Sequence, residues 1–211
     1  TFVVFIERAQ RRLLVQYPKR QVGNKMFGGD NSHLPLKLNT SGVIPAIFAS
    51  SLLLMPITIA NFSSGQGPDW VNSVTTLLGR GQPLYMIIYA SLIVFFCYFY
   101  TAIVFNPEDT ADNLKKQGGF IPGIRPGERT AQYIDYVLTR LTVVGSIYLV
   151  LVCLLPEFLI SRFAVPFYFG GTSVLIIVNV AMDTMTQFQG YLFAHQYEGL
   201  LKKSKLGSRK R

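Results

Sequence analysis

The sequence predicts an all-α, polytopic membrane protein: a bundle of four transmembrane helices plus the stub of a fifth. Three observations predict it. Half of the residues are hydrophobic and only 15% are charged. The apolar residues run in long blocks and not in amphipathic stripes. Four of the blocks approach the roughly 20 apolar residues that a helix needs to cross about 30 Å of hydrocarbon.

Taken in order, residues 1–6 are apolar, stop abruptly at Glu7 and are too short to span. They read as the last turns of a helix that begins upstream, and the chain reads as a fragment. With no initiator Met and no charged stretch ahead of the run, a signal peptide is not expected. Residues 7–40 form a basic loop, 41–62 the first span, and 63–83 a short connection containing Trp70. The second span is 84–105, followed by a loop at 106–136. The third span is 137–160, the turn 161–166, the fourth span 167–187 and the basic tail 188–211.

Charge orients these spans. The first loop has Arg8, Arg11, Arg12, Lys19, Arg20, Lys25 and Lys37 against Glu7 and Asp30. The tail has Lys202, Lys203, Lys205, Arg209, Lys210 and Arg211 against Glu198, whereas the 106–140 stretch is balanced. The connections on the other side hold only Arg80, Asp69, Arg162 and Glu157. Four spans put the first loop, the middle loop and the tail on one side, which the positive-inside rule makes cytoplasmic. Trp70 then falls near the outer interface, a common place for amphipathic rings. Retention in the cytosol is one sufficient reason for these cations. The first loop is longer than retention requires, and its positives are interleaved with Gln10, Tyr17, Gln21 and Phe27, which suits a polyanion such as ribosomal RNA or an acidic protein surface.

The spans differ in kind. The second and third are rich in Leu, Ile, Val and Phe, as lipid-facing helices should be. The first contains Pro45 and Pro56 with Ser50, Ser51 and Thr58, so it should bend and leave backbone groups in need of partners. The fourth opens on Gly170, Gly171, Thr172 and Ser173 and includes Asn179 and Asp183. Polar groups at membrane depth are tolerated in protein or beside water, which makes these two helices the candidates for a cavity wall. Two plainer readings stand beside that: Asp183 as an interfacial carboxylate, and Gly170–Gly171 as a close-packing contact.

In the middle loop, Asn106 can cap a helix with Pro107 at its first position and Glu108 and Asp109 in its first turn. That helix should end at Gly118–Gly119. The following Gly/Pro-rich turn presents Arg125 in a defined direction or serves simply as a rigid linker.

No phosphate-binding Gly-rich loop, His-Glu-x-x-His pair or Gly-x-Ser-x-Gly elbow occurs. Cys97 and Cys153 have no metal-ligand neighbours and read as buried thiols, and His33 and His195 are isolated. No enzymatic activity, metal or cofactor is expected. A secondary-transporter half using Asn179 and Asp183, or a membrane scaffold, are the alternatives from other classes.

Several strings resemble the bacterial SecY family of protein-translocation channels. They are Glu7-Arg-Ala-Gln-Arg-Arg, Lys19-Arg-Gln-Val, His33-Leu-Pro-Leu-Lys-Leu-Asn and Gly42-Val-Ile-Pro-Ala-Ile-Phe-Ala-Ser-Ser. Further on come Asn106-Pro-Glu-Asp-Thr-Ala-Asp-Asn-Leu-Lys-Lys, Gly123-Ile-Arg-Pro-Gly and Pro166-Phe-Tyr-Phe-Gly-Gly-Thr-Ser. The resemblance covers essentially the whole chain. It implies half of a ten-helix, inverted-repeat channel in the bacterial inner membrane, supplying helices seven to ten. It also implies that the first span, with Pro45, Ser50, Ser51, Met55 and Pro56, forms one side of a lateral gate. Ile47 and Ile176 match the apolar pore ring, and Arg8, Arg11, Arg12, Lys19, Arg20, Lys115, Lys116 and Arg125 match the docking loops. The implied partners are the amino-terminal half of the channel, SecE, SecG, the SecA motor or the ribosome through its RNA, nascent polypeptides and membrane lipid.

Overall fold

The computed structural model describes the chain except residues 23, 28, 30, 63–68, 80, 164–170 and 209–211; for residues 20–22, 25–27, 171–172 and 199–208 it describes the backbone alone. The order of elements is α1 (Phe2–Arg8), β1 (Gln10–Gln16), β2 (Arg20–Val22), β3 (Lys25–Phe27), β4 (Asn31–Lys37), α2 (Ile44–Phe62), α3 (Asp69–Leu77), α4 (Pro83–Val104), α5 (Pro107–Lys116), α6 (Glu128–Phe163) and α7 (Gly171–Ser208).

Among the described residues three helices are long and apolar enough to cross a membrane, and they correspond to α2, α4 and α6. α4 lies between α2 and α6. Ala46, Ala49 and Leu53, at helical spacing on α2, meet Tyr85, Tyr89, Ile93 and Cys97 of α4, while Tyr148, Leu149 and Cys153 of α6 close the other side. Small residues on α2 let the helix backbones approach closely, as membrane interfaces favour. α7 packs against α6 and α1 and contributes Leu175 to this core. It runs on as one helix through Ser208, so the expected fourth span and most of the tail share an element. α6 likewise begins at Glu128, about two turns before the expected span. Trp70 sits in the first turn of α3, not in a loop, and is exposed. The rest of the connection at 63–68, Arg80, Gly170, the end of the 161–166 turn and the side chains of Lys25 and the tail cations lie outside the described residues.

The sequence reading leaves 7–40 as a loop, and there the structure adds strands to the helical frame. β1 pairs antiparallel with β4 from Gln10↔Lys37 to Gln16↔Asn31, and β2 pairs with β3 farther out. The cause is alternation: Leu13, Val15 and Leu36 point to one face and are buried, while Arg12, Leu14 and His33 point away. Pro35 is tolerated because the β1–β4 ribbon is only two strands wide and β4 can leave an edge unpaired. The buried face rests on Leu114 of α5, Ile121, and Ile134, Val137 and Leu141 of α6.

α5 forms as its caps predict. Asn106 Oδ1 accepts from the Glu108 N–H at 3.1 Å, and Asn106 Nδ2 donates to Asp109 Oδ2 at 2.9 Å. The helix stops ahead of Gly118–Gly119, where the Gly119 N–H donates to the Leu114 carbonyl at 2.8 Å.

Candidate functional site

The expected site residues fall on three surfaces, and a fourth group is one that sequence reasoning missed.

The first surface is α2. Its packed side uses Pro45, Ala46, Ala49 and Leu53, and its opposite side leaves Ile47, Ser51, Met55 and Thr58 exposed along one line. Ile47 is 39% exposed and Met55 61%, so this line is not part of the chain's own core. The helix continues through Pro56, which has no N–H for the Leu52 carbonyl. Its hydroxyls are satisfied locally: Ser50 and Ser51 both donate to the Ile47 carbonyl at 2.9 Å, and Thr58 donates to the Leu54 carbonyl at 2.8 Å. Back-bonding of this kind lets polar residues face either lipid or water, and it favours bending.

The second surface is α7. Ile176 is 41% exposed, Asn179 is half-buried and Asp183 is exposed. No group of three metal-ligating side chains occurs among the described residues. Ile47 and Ile176 thus both lie on faces left open by this chain, on helices whose main packing partners are α4 for α2 and α6 and α1 for α7.

The third surface is basic. Arg8 ends α1, Arg11 and Arg12 lie in β1, and Lys19 follows it. Lys115 and Lys116 end α5, favourably placed at a helix carboxyl terminus. All six are exposed, and none of them has an ion-pair partner among the described residues. Arg20 lies in β2, its side chain outside the described residues. Arg125 is exposed in a turn bounded by Gly123 at φ +84° and Gly127 at φ +116°, a backbone that side-chain-bearing residues seldom adopt. The Thr130 hydroxyl donates to the Arg125 carbonyl at 3.0 Å, and Ile121 anchors the turn from below.

The structure joins two loops that the sequence reading keeps apart. The Gln16 N–H donates to the Phe120 carbonyl at 2.8 Å, and the Phe120 N–H donates back at 2.9 Å. Gly119 permits this: a Cβ there would lie 3.0 Å from both Tyr17 and Val15. The β1 cations and Arg125 consequently belong to one unit.

The missed group lies where β4 leads into α2. Asn39 is 5% exposed, and its Nδ2 donates to Glu7 Oε1 at 2.9 Å and to the Gly42 carbonyl at 3.2 Å. The Ser41 hydroxyl donates to Asn39 Oδ1 at 3.2 Å and lies 3.7 Å from Cys97 Sγ. The Tyr148 hydroxyl donates to the same Glu7 oxygen at 3.5 Å. Burial pushes the Glu7 carboxyl above its ordinary value; the Asn39 and Tyr148 hydrogen bonds and Lys37 oppose the rise, and Asp183 adds to it. Glu7 and Asn39 are 32 residues apart, and no sequence signal pairs them.

Fold and surfaces together define a polytopic helical membrane protein with a basic β-ribbon unit set against its helices. The family model for SecY matches residues 1–185, and the chain belongs to the SecY family. It is similar to the protein translocase subunit SecY of Rickettsia bellii, with 59% identity over 206 residues, covering 98% of this chain and 47% of the relative. The Escherichia coli K12 protein of the same name is 58% identical over 206 residues, 97% of this chain and 46% of the relative. That of Vibrio cholerae is 57% identical over 209 residues, again 97% and 47%. The chain spans about half the length of the curated relatives it matches.

Proposed function

We propose that this chain forms half of a protein-conducting channel in the bacterial inner membrane, exporting unfolded polypeptides and releasing membrane helices sideways into lipid. The observation that supports this most directly is the exposed line Ile47–Ser51–Met55–Thr58 on α2, opposite a face packed on α4. A helix built only as a lipid anchor gains nothing from an internal proline and hydroxyls set among its exposed apolar side chains. A helix that must bend, move and meet a passing chain uses both.

In this reading α2, with Pro45, Ser50, Ser51, Met55 and Pro56, is one wall of the lateral gate. Ile47 and Ile176 supply part of an apolar ring that seals around a chain and excludes ions by dewetting. The remaining ring positions and the other wall come from the amino-terminal half of the channel, with SecE and SecG as accessory subunits. The ribbon unit faces the cytoplasm, where Arg8, Arg11, Arg12, Lys19, Arg20, Lys115, Lys116 and Arg125 dock the ribosome or the SecA motor. The chain itself catalyses no bond chemistry, and its partners supply the energy.

The test is to replace Ile47 or Ile176 by Asn in the full-length channel, reconstituted with its partners in vesicles. Ion leak should rise, or precursors with defective signal sequences should be exported more readily. Normal sealing together with normal stringency would remove both residues from the ring.

A further inference from the structure

Only six residues separate the end of β4 at Lys37 from the start of α2 at Ile44, so whatever moves the ribbon unit acts on α2 through a short tether. That tether is pinned. The Leu38 N–H donates to the Ala9 carbonyl at 3.1 Å. The Leu38 carbonyl lies against α6, so close that a Cβ on Gly145 would be 2.7 Å from it. Asn39 then binds Glu7 of α1 and the Gly42 carbonyl, and Tyr148 of α6 reaches the same Glu7 oxygen. An apolar pair would pack at this point without the cost of desolvating a carboxylate. What the polar pair adds is direction: it holds at one separation and one angle, where apolar side chains would slide.

We propose that Asn39 and Glu7 are positioning residues, forming a clamp that holds the amino end of α2 against α1 and α6 so that α2 shifts only when the contact yields. The proposal rests on the reading of α2 as a gate helix and names the contact that sets its resting position. Tyr148 supports the clamp by holding the Glu7 carboxylate toward Asn39. A contact made in one arrangement and lost in the other biases the equilibrium between them by its own differential free energy. Its removal should therefore make α2 easier to displace.

The experiment uses the full-length channel with its partner subunits in vesicles, scoring ATP-driven export of a precursor with a defective signal sequence beside one with an intact sequence. Asn39→Ala and Glu7→Ala should each raise the defective-to-intact export ratio on the order of fivefold, the range of coupling between residues in contact. The double variant should go no further than either single, since both delete one contact. Glu7→Gln keeps an oxygen for Asn39 to donate to and should restore wild-type stringency. Wild-type ratios in both single variants, additive effects in the double variant, or a Glu7→Gln that behaves as Glu7→Ala would each overturn the clamp. If the alanine variants fail to accumulate, Tyr148→Phe, which deletes only a hydroxyl, must raise the same ratio, and an unchanged ratio overturns the proposal. A wild-type channel that exported neither precursor would instead count against the channel reading itself.

Discussion

The bundle of α2, α4 and α6 and the ribbon unit each have a buried apolar core, but they are finished in opposite ways. Within their most apolar stretches the three helices bury only 22%, 22% and 28% of residues inside the chain, and Ile87, Phe95, Ile147 and Leu151 face outward. The ribbon unit buries Leu13, Val15, Leu36, Ile121 and Ile134 and faces outward with Arg12, Lys115, Lys116 and Arg125. In water, the first pattern would be an aggregation hazard. In a membrane it is ordinary, because lipid tails are as apolar as leucine and exposure there costs nothing. Exposed apolar surface therefore says little about α4 and α6. The informative surfaces are the ones that break each region's rule: the line on α2 where hydroxyls alternate with apolar side chains, and cations that have no ion-pair partner among the described residues.

This contrast can be broken by mutation. The largest effect is expected at Ile134, fully buried beneath the ribbon. Ile134→Ala should cost about 2–5 kcal/mol by loss of transfer energy plus a cavity. Limited proteolysis of the purified full-length channel should show faster cleavage within 7–40, whereas Ile87→Ala on the outward face of α4 should leave it unchanged. Equal effects at the two sites would erase the distinction between a closed core and a lipid-covered one.

Next in size is Gly145→Ala. The added methyl would meet the Leu38 carbonyl, which is backbone and cannot swing aside. We expect a loss of about 1–3 kcal/mol from overpacking, read as a lower inactivation temperature in detergent. Wild-type thermal behaviour would mean that the tether to α2 is not seated on α6.

The smallest effect on stability, and the sharpest on function, is expected at Arg125. Its guanidinium is exposed, so Arg125→Glu should change stability by no more than about 0.5 kcal/mol. Export driven by the motor should nonetheless slow while channel abundance holds. Unchanged export rates would leave Arg125 as part of a rigid linker.

Where local rules were enough, the sequence was legible. Asn106 caps α5 as its side-chain chemistry requires, and Gly118–Gly119 ends that helix. The first three apolar stretches coincide with α2, α4 and α6, whereas α6 begins ahead of the expected span and α7 runs on past the expected end of the fourth. The ribbon was harder to see. Leu13 and Val15, then Leu34 and Leu36, do alternate, but each run is short and lies in a cation-rich stretch, so strand and loop were indistinguishable until Leu114 and Ile134 offered a surface to bury against.

What the sequence determined by itself is a helical membrane protein, the apolar stretches that become α2, α4 and α6, the caps of α5 and, through several strings of residues, a family resemblance, because hydrophobicity and capping act over a few neighbouring residues. Tertiary structure alone decided that the basic first loop and the charge-balanced middle loop are one unit joined at Gln16 and Phe120, and that α2 follows directly on a part-buried Asn39–Glu7 contact. Hydrogen bonds between partners 32 and 104 residues apart leave no periodic trace. They exist only once packing has excluded water and brought a donor within reach of an acceptor that would otherwise go unsatisfied.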